Sequence, residues 1–338
     1  MNKILILFLV LGLFSCIEKK DKKESINTFI IAFGSCDNQE LPNVLWKEIK
    51  KNNPDLFIWG GDIVYADGED IKVMQKSYEK QKKDTAYQNF KKDLPVLGTW
   101  DDHDYGLNDG GKEFKKKDSV QQLLLDFLDV DPKDKRRSKK GVYHSKKIVI
   151  GKNSVNIIIL DTRYFRTRLT VDTTGNKRYI PNDFGDGTIL GKAQWEWLEN
   201  ELKSSKSNFN IIISSIQFLS KEHGFESWGN MPHEVSKMKG IISGSGAKGV
   251  IILSGDRHIA EISMDSIINL KYPIIDFTSS GLTHSYSTFK GEPNVYRITK
   301  VVSDINFGIL RIDFKANEVS MEIRGKNNLL LQNIIQKY

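Results

Sequence analysis

The apolar residues of this chain fall into short runs, and each run stops at a residue with chemistry to offer. Residues 28–33, 55–59, 94–100, 209–215 and 249–254 are nearly continuous stretches of Ile, Val, Leu, Phe and Trp. That is the pattern of strands buried on both faces. Residues 141–150 and 153–160 read as a hairpin, and 259–264, 274–278, 307–314 and 318–323 as further mixed or antiparallel strands. Helical spacing appears over 41–52, with Leu41, Val44, Leu45 and Ile49 on one face, and over 191–202, with Trp195, Leu198 and Leu202. Residues 71–92 and 120–128 read as helices, and another short one ends near Ile242. The opening order of strand, helix and strand with short links predicts a parallel pair joined by a right-handed crossover. Residues 105–117 read as an exposed loop. Residues 166–188 form a longer one, of a length often found beside functional sites. No repeat and no linker divides 28–338, so one α/β domain is expected.

The first residues follow a different rule. Lys3 precedes an apolar run to Phe14 that is too short to span a bilayer. It ends in Leu13-Phe14-Ser15-Cys16, which resembles the lipobox of bacterial lipoproteins. That resemblance implies a signal peptide over 1–15, acylation of Cys16 and a polar tether over 16–27. The expected location is a bacterial cell-envelope membrane, with the protein exported and held by its lipid. The chain has two cysteines. If Cys16 carries lipid, Cys36 is left without a partner, and an exported protein with one leftover thiol invites intermolecular pairing, a reactive role or a metal. The net charge of +7 comes with lysines spread along the whole chain. No compact arginine patch interleaved with aromatics appears, so no stable nucleic-acid partner is expected.

In open α/β sheets, ligands bind beyond the carboxyl ends of the strands. Cys36, Asp62, Asp102, Asp161, Gln217 and Asp256 all stand at such ends. One such Asp is ordinarily a cap or turn former; several in register, with Cys, Tyr and His among them, are poorly explained that way. Asp62 and Tyr65, three apart, can reach one ion, and Cys36 would add a thiolate. Carboxylate, phenolate and thiolate together suit a highly charged iron centre. An Asp-lined neighbour suits calcium, magnesium or manganese. Two metals sharing one carboxylate form a clamp for displacement at phosphorus. His103, between Asp102 and Asp104, is a candidate proton donor to an ester oxygen. Arg163 offers a planar fork for a phosphate oxygen.

Five pieces in this order resemble the alkaline phosphatase D (PhoD-like) branch of the metallophosphatase superfamily. They are Phe33-Gly34-Ser35-Cys36, Gly60-Gly61-Asp62-Ile63-Val64-Tyr65-Ala66-Asp67, Trp100-Asp101-Asp102-His103-Asp104, Leu160-Asp161-Thr162-Arg163-Tyr164 and Leu253-Ser254-Gly255-Asp256-Arg257-His258. The resemblance implies a four-layer α/β/β/α sandwich of two packed mixed sheets, residues 28–338 forming the metallophosphatase domain. It implies a dinuclear centre, Fe3+ with Ca2+ (or Mg2+/Mn2+), acting on a phosphate ester, monoester or diester. Cys36 and Tyr65 would bind the iron, Asp62 would bridge, and Asp102 and Asp256 would be ligands. His258 would be a ligand or would support one, and His103 would be catalytic. Gln217 stands where the superfamily often has a metal His, and His284 lies in a polar loop that could face the site. Two other readings use the same residues: a surface-anchored binding lipoprotein on a degenerate phosphatase scaffold, and a hydrolase of a non-phosphate ester.

Overall fold

The computed structural model describes residues 27–68 and 70–338. The expected signal segment and Cys16 lie outside the described residues. In chain order the first elements are β1 (Thr28–Gly34), α1 (Trp46–Lys50), β2 (Leu56–Gly60), α2 (Ile71–Lys83), α3 (Thr85–Lys91), β3 (Val96–Thr99), α4 (Asp102–Tyr105) and α5 (Lys117–Phe127). Then come β4 (His144–Ile150), β5 (Asn153–Ile159), β6 (Thr170–Val171), β7 (Tyr179–Ile180), α6 (Gly191–Ser204), β8 (Phe209–Ile213) and α7 (Pro232–Ser245). The last are β9 (Val250–Ser254), β10 (Ala260–Asp265), β11 (Ile274–Ser279), β12 (Phe307–Asp313), β13 (Glu318–Arg324) and β14 (Leu330–Lys337).

Two six-stranded sheets carry the fold, in the orders β14-β13-β12-β1-β2-β3 and β10-β11-β9-β8-β5-β4. In the first sheet β1, β2 and the edge strand β3 are parallel and β12, β13 and β14 continue antiparallel on the other side; in the second the parallel strands β5, β8, β9 and β11 are flanked by antiparallel β4 and β10. Period-two side-chain alternation builds the layers. Ile31, Phe33, Leu56 and Ile58 from the first sheet meet Ile157, Ile159, Ile211, Ile213, Ile251 and Leu253 from the second in one core. The alternate residues Ala32, Phe57 and Trp59 turn outward under α1, α2, α3 and α5. Ile158, Ile212, Val250 and Ile252 do the same under α6 and α7. Both faces of the central strands are buried, which is why they read as unbroken apolar runs. The result is the expected α/β/β/α sandwich.

Several local expectations change. The helix expected over 41–52 shrinks to Trp46–Lys50, because Asn43 caps Leu45 N (2.8 Å) and leaves Leu41 and Val44 in solvent. The 71–92 helix breaks at Asp84, whose carboxylate accepts Tyr87 N–H (2.7 Å) and starts α3. The 166–188 loop carries the small ribbon β6–β7. Strand β14 was not anticipated; it is a half-exposed edge strand, so only one of its faces is selected to be apolar.

The two sheets are pinned together at their carboxyl ends by Gly255. A Cβ there would lie 2.5 Å from Ser35 Oγ and 3.0 Å from the carbonyls of Gly60 and Ser215, so strand ends of both sheets converge on a position that only hydrogen can fill. We expect Gly255→Ala to lower the unfolding free energy by the ~1–3 kcal/mol typical of overpacking, read as a lower urea midpoint at unchanged slope. An unchanged midpoint would show that these strand ends have slack.

Candidate metal centre

The site is assembled from turns that leave the parallel strands. β1 runs into Cys36, β2 into Asp62, β3 into Asp102 at the head of α4, and β9 into Asp256 and His258. Cys36, Asp62, Asp256 and His258 have φ of 61°, 49°, 69° and 54°. Non-glycine residues reach this left-handed region at a cost, and such strain collects at functional sites. Among the described residues, every other positive-φ residue that is not Gly is Asn or Asp, so Cys36 and His258 are the least expected. Gly61 is needed beside them, since a Cβ there would meet Asp101 Cβ at 2.5 Å.

These turns bring together donors from both sheets. Cys36 Sγ lies 3.4 Å from Asp62 Oδ2 and 3.7 Å from the Asp256 carbonyl oxygen. Tyr65 OH is 3.5 Å from Asp62 Oδ2 and 2.9 Å from His258 Nε2. Asp62 Oδ1 accepts His103 N–H (3.3 Å), and Asp102 accepts the N–H groups of His103 (3.0 Å) and Asp109 (2.7 Å). Among the described residues four donor groups have ligand atoms within 4.8 Å of one another: Cys36, Asp62 and His258; Asp62, Asp102 and His103; Asp101, Asp102 and Asp256; Asp102, Asp109 and Glu226. Asp62 belongs to two of them. Above lies an open cleft of about 450 Å3, lined by Asp62, Asp102, His103, Asp256 and His258 with Asp109, Arg178, Phe225, Glu226, Arg257 and Tyr286 among the others.

Electrostatics explain what this arrangement wants. Burial raises the Asp62 carboxyl well above its ordinary value, and the neighbouring Asp102, Asp101, Asp104 and Asp256 push it further. Asp256 is raised by burial and by Asp101 and Asp102, and the Cys36 thiol by burial and by Asp62. For Asp102, burial opposes ionisation, but Arg163, His103 and the two backbone N–H groups outweigh it and hold the carboxyl below its usual value. The chain crowds carboxylates in its interior with too few cations of its own. A thiol, a phenol, carboxylates and an imidazole are a donor set for highly charged and hard metal ions, and those ions would relieve this repulsion.

The structure thus places Cys36, Asp62, Tyr65, Asp102, His103, Asp256 and His258 together. Arg163 does not join them, which corrects the expectation of a phosphate fork. Its guanidinium is wholly buried, with Nε 2.6 Å from Asp101 Oδ1 and Nη1 2.5 Å from Glu226 Oε2, and Arg163 is not among the residues lining the cleft. Arg166, at 2.8 Å, closes the network on Glu226. Asp161 is a turn residue, accepting from Trp100 Nε1 and from the backbone of Val142, Arg163 and Tyr164 at 2.9 Å each. Gln217 turns away from the site, donating to Glu261 and Thr278 (2.9 Å each). Asp67 holds His103 Nδ1 at 2.6 Å. Burial opposes charge on His103, yet Asp67 and Asp102 prevail and raise its pKa. Sequence reasoning missed Asp109, Arg178, Phe225, Glu226, Arg257 and Tyr286. Arg257 sits inside a noticed motif; Arg178, Phe225 and Tyr286 come from loops without any pattern.

The sequence pattern of the family described as PhoD-like phosphatase matches residues 31–284, from the first strand to the loop beyond β11. The chain belongs to this family. Alkaline phosphatase D of Bacillus subtilis (strain 168) is 23% identical in an alignment 274 residues long that covers 67% of this chain and 45% of that protein. The chain therefore spans less than half the length of this relative. A structure of PhoD superposes with a TM-score of 0.72 at 16% identity, covering 93% of this chain and 69% of the other. GAP50, described as the anchor in the inner membrane complex of Plasmodium, gives 0.56 at 12% identity over 92% of this chain and 89% of its own. At these identities the likeness is one of fold, and the PhoD-like assignment rests on the family pattern.

The raised carboxyls set a pH dependence for the metal-free protein. The unfolded chain gives up these protons near pH ~3.9, while folded Asp37 and Asp101, raised to about 7, and Asp62 and Asp256 keep them to higher pH. Above ~3.9 the native state holds more protons than the unfolded one, so stability falls as pH rises, through about 7 for Asp37 and Asp101. Calorimetry on chelator-treated protein should show a lower melting temperature at about pH 8 than at about pH 5, and a larger rise on adding calcium at the higher pH. Equal stability at both would mean that the chain already compensates these charges.

Proposed function

We propose that this PhoD-like protein hydrolyses phosphate esters at a dinuclear metal centre. The observation that carries the reading is Asp62, shared between two donor groups whose ligand atoms lie within 4.8 Å of one another. Cys36, Tyr65 and His258 would hold Fe3+ with Asp62. Asp62, Asp102 and Asp256 would hold Ca2+ (or Mg2+/Mn2+), the harder ion for the oxygen-rich side. Bound metals supply Lewis-acid activation of water and neutralisation of the phosphoryl oxygens.

The chain supplies the rest. Asp67 accepts the Nδ1 proton of His103, since a carboxylate can only accept, and its charge favours the imidazolium. His103 then serves as the acid that protonates the departing alkoxide. Arg178 and Arg257 offset the acidity of the cleft toward an anionic substrate. Phe225 and Tyr286, each partly exposed on its lining, give an organic alcohol a surface to lie on, and the cleft is large enough for one.

A shared fold does not select catalysis, and GAP50 is described as an anchor. The uncompensated buried carboxylates argue for the metal-loaded hydrolase over a binding scaffold here. The soluble chain beginning after Cys16, loaded with iron and calcium, should cleave p-nitrophenyl phosphate or its bis-ester at alkaline pH; the faster of the two assigns monoesterase or diesterase. Asp62→Asn and Cys36→Ser should lose iron and activity together. His103→Ala should keep its metals and lose ~10²–10⁴-fold in kcat. Cleavage of neither ester by metal-loaded protein would return the fold to a binding role or a different ester.

We also read the protein as an exported lipoprotein, anchored through Cys16 to a bacterial cell-envelope membrane. The short apolar run behind Lys3 and Leu13-Phe14-Ser15-Cys16 support this. Cys16→Ser should abolish incorporation of labelled fatty acid and move the protein from membrane to soluble fractions. Label retained by the variant would sink the anchor.

A further inference from the structure

The segment after β11 crosses from one half of the site to the other. Leu282 N–H donates to the Ser35 carbonyl (3.1 Å) and Thr283 N–H to the Cys36 carbonyl (3.3 Å). Thr283 Oγ1 also donates to Cys36 O (3.3 Å) and accepts Asn38 N–H (2.8 Å). A little further on, Tyr286 N–H donates to the His258 carbonyl (2.7 Å). One stretch of chain therefore grips both Cys36 and His258, the two strained turns that face each other from opposite sheets.

His284 stands between the grips. Its ring centroid lies 4.5 Å from that of His258 at an interplanar angle of 77°, and 5.0 Å from that of Tyr65 at 69°. It is edge-on to both. Its Nδ1 is 3.0 Å from Thr283 Oγ1. That hydroxyl has one proton, directed at Cys36 O, so the imidazole N–H is the donor, and this bond fixes the ring's rotation. His103 lies alongside Tyr65 as well, with centroids 4.3 Å apart and planes 31° from parallel. Tyr65 is thus enclosed by His103, His284 and, through its hydroxyl, His258. His284 belongs to none of the donor groups found among the described residues and is not among the residues lining the cleft.

We propose that His284 is a positioning residue: it wedges the Tyr65 and His258 rings so that the phenol oxygen and the imidazole nitrogen are presented to the same ion. The inference rests on the reading of this site as a metal centre. Tyr65 and His258 each rotate about two side-chain bonds, and an edge-on ring touching both removes that freedom before any ion arrives. The action is one of packing, so a phenyl ring in the same place should preserve it.

The test compares wild type, His284→Ala and His284→Phe, each loaded with iron and calcium. It reads iron content, the visible phenolate-to-iron absorption, and kcat and KM on the p-nitrophenyl ester. His284→Ala should keep its iron, shift the absorption maximum and lose about ten- to a hundredfold in kcat at nearly constant KM, the range typical of groups that orient ligands. His284→Phe should restore band and kcat. Unchanged band and kcat in His284→Ala would overturn the proposal. So would His284→Phe behaving like His284→Ala, since the nitrogen would then be what matters. A wild type that holds no iron, or holds it without a phenolate band, overturns it too. A wild type that shows the band but cleaves no ester sinks the phosphatase reading instead, and the band comparison still decides the role of His284.

Discussion

The interaction on which the structure turns is repulsion. Asp62, Asp101, Asp102 and Asp104 are packed out of water at the facing ends of two sheets, with Asp256 half-buried beside them, and like charges in low dielectric are expensive to hold together. The chain answers part of this itself. Arg163 and Arg166 neutralise Asp101 and Glu226 in a wholly buried network, and Asp104 spends its oxygens on the N–H groups of Ile63 and Asp101. What remains is Asp62 and Asp256 beside the Cys36 thiol; Arg257 offsets part of the charge on Asp256, yet burial and the neighbouring carboxylates still raise both carboxyls well above their ordinary value. A fold that wanted only stability would have replaced these groups with apolar ones, because a buried charge is rarely stabilising in itself.

The same ends of the sheets carry the backbone strain. Four of the side chains that line up on the site sit on left-handed turns, two of them residue types that seldom adopt that conformation. Strain of this kind survives only when the surroundings over-determine it. Here they do. Gly255 and Gly61 let neighbouring backbone come close enough to leave no slack, and the segment from Leu282 to Tyr286 holds the carbonyls of Cys36 and His258. Precision at the site is thus a property of glycines and loop hydrogen bonds as much as of the ligands themselves.

This explains what could be read from the chain and what could not. The central strands were legible because both faces are buried, which leaves an apolar run with sharp ends; the candidate donors stood out because they occupy those ends in short motifs. Arg163 was misjudged because a motif says where a residue stands and not which way it faces: its partners Asp101 and Glu226 are 62 and 63 residues away. Phe225, Tyr286 and Arg178 escaped for a related reason. They belong to loops placed by long-range hydrogen bonds, such as the bonds from the N–H groups of Arg178 and Tyr179 to Gly224 O, and nothing local marks them. Strand β14, with one face in solvent and its register set by β13, lacked the run that identified the others.

Because each sheet contributes part of every donor group that involves Cys36 or Asp256, the site exists only when the two sheets are packed against each other. Ion binding and sheet packing are then one equilibrium: any ion held by the folded chain stabilises the sandwich by RT ln(1 + [L]/Kd), and any loosening of the sandwich weakens the ion. The central strands lean on the shared core between the sheets, while the turns that carry the candidate donors would lean on any ion bound there. A substitution deep in the core, such as at Phe33 against Phe277 (ring centroids 4.8 Å apart), should therefore reach the chemistry by changing the distance between Cys36 and His258, without touching either residue. The first sheet alone brings together Asp62, Asp102 and His103, but the groups that include Cys36 or Asp256 need both sheets, and that is what the packing of the sandwich adds.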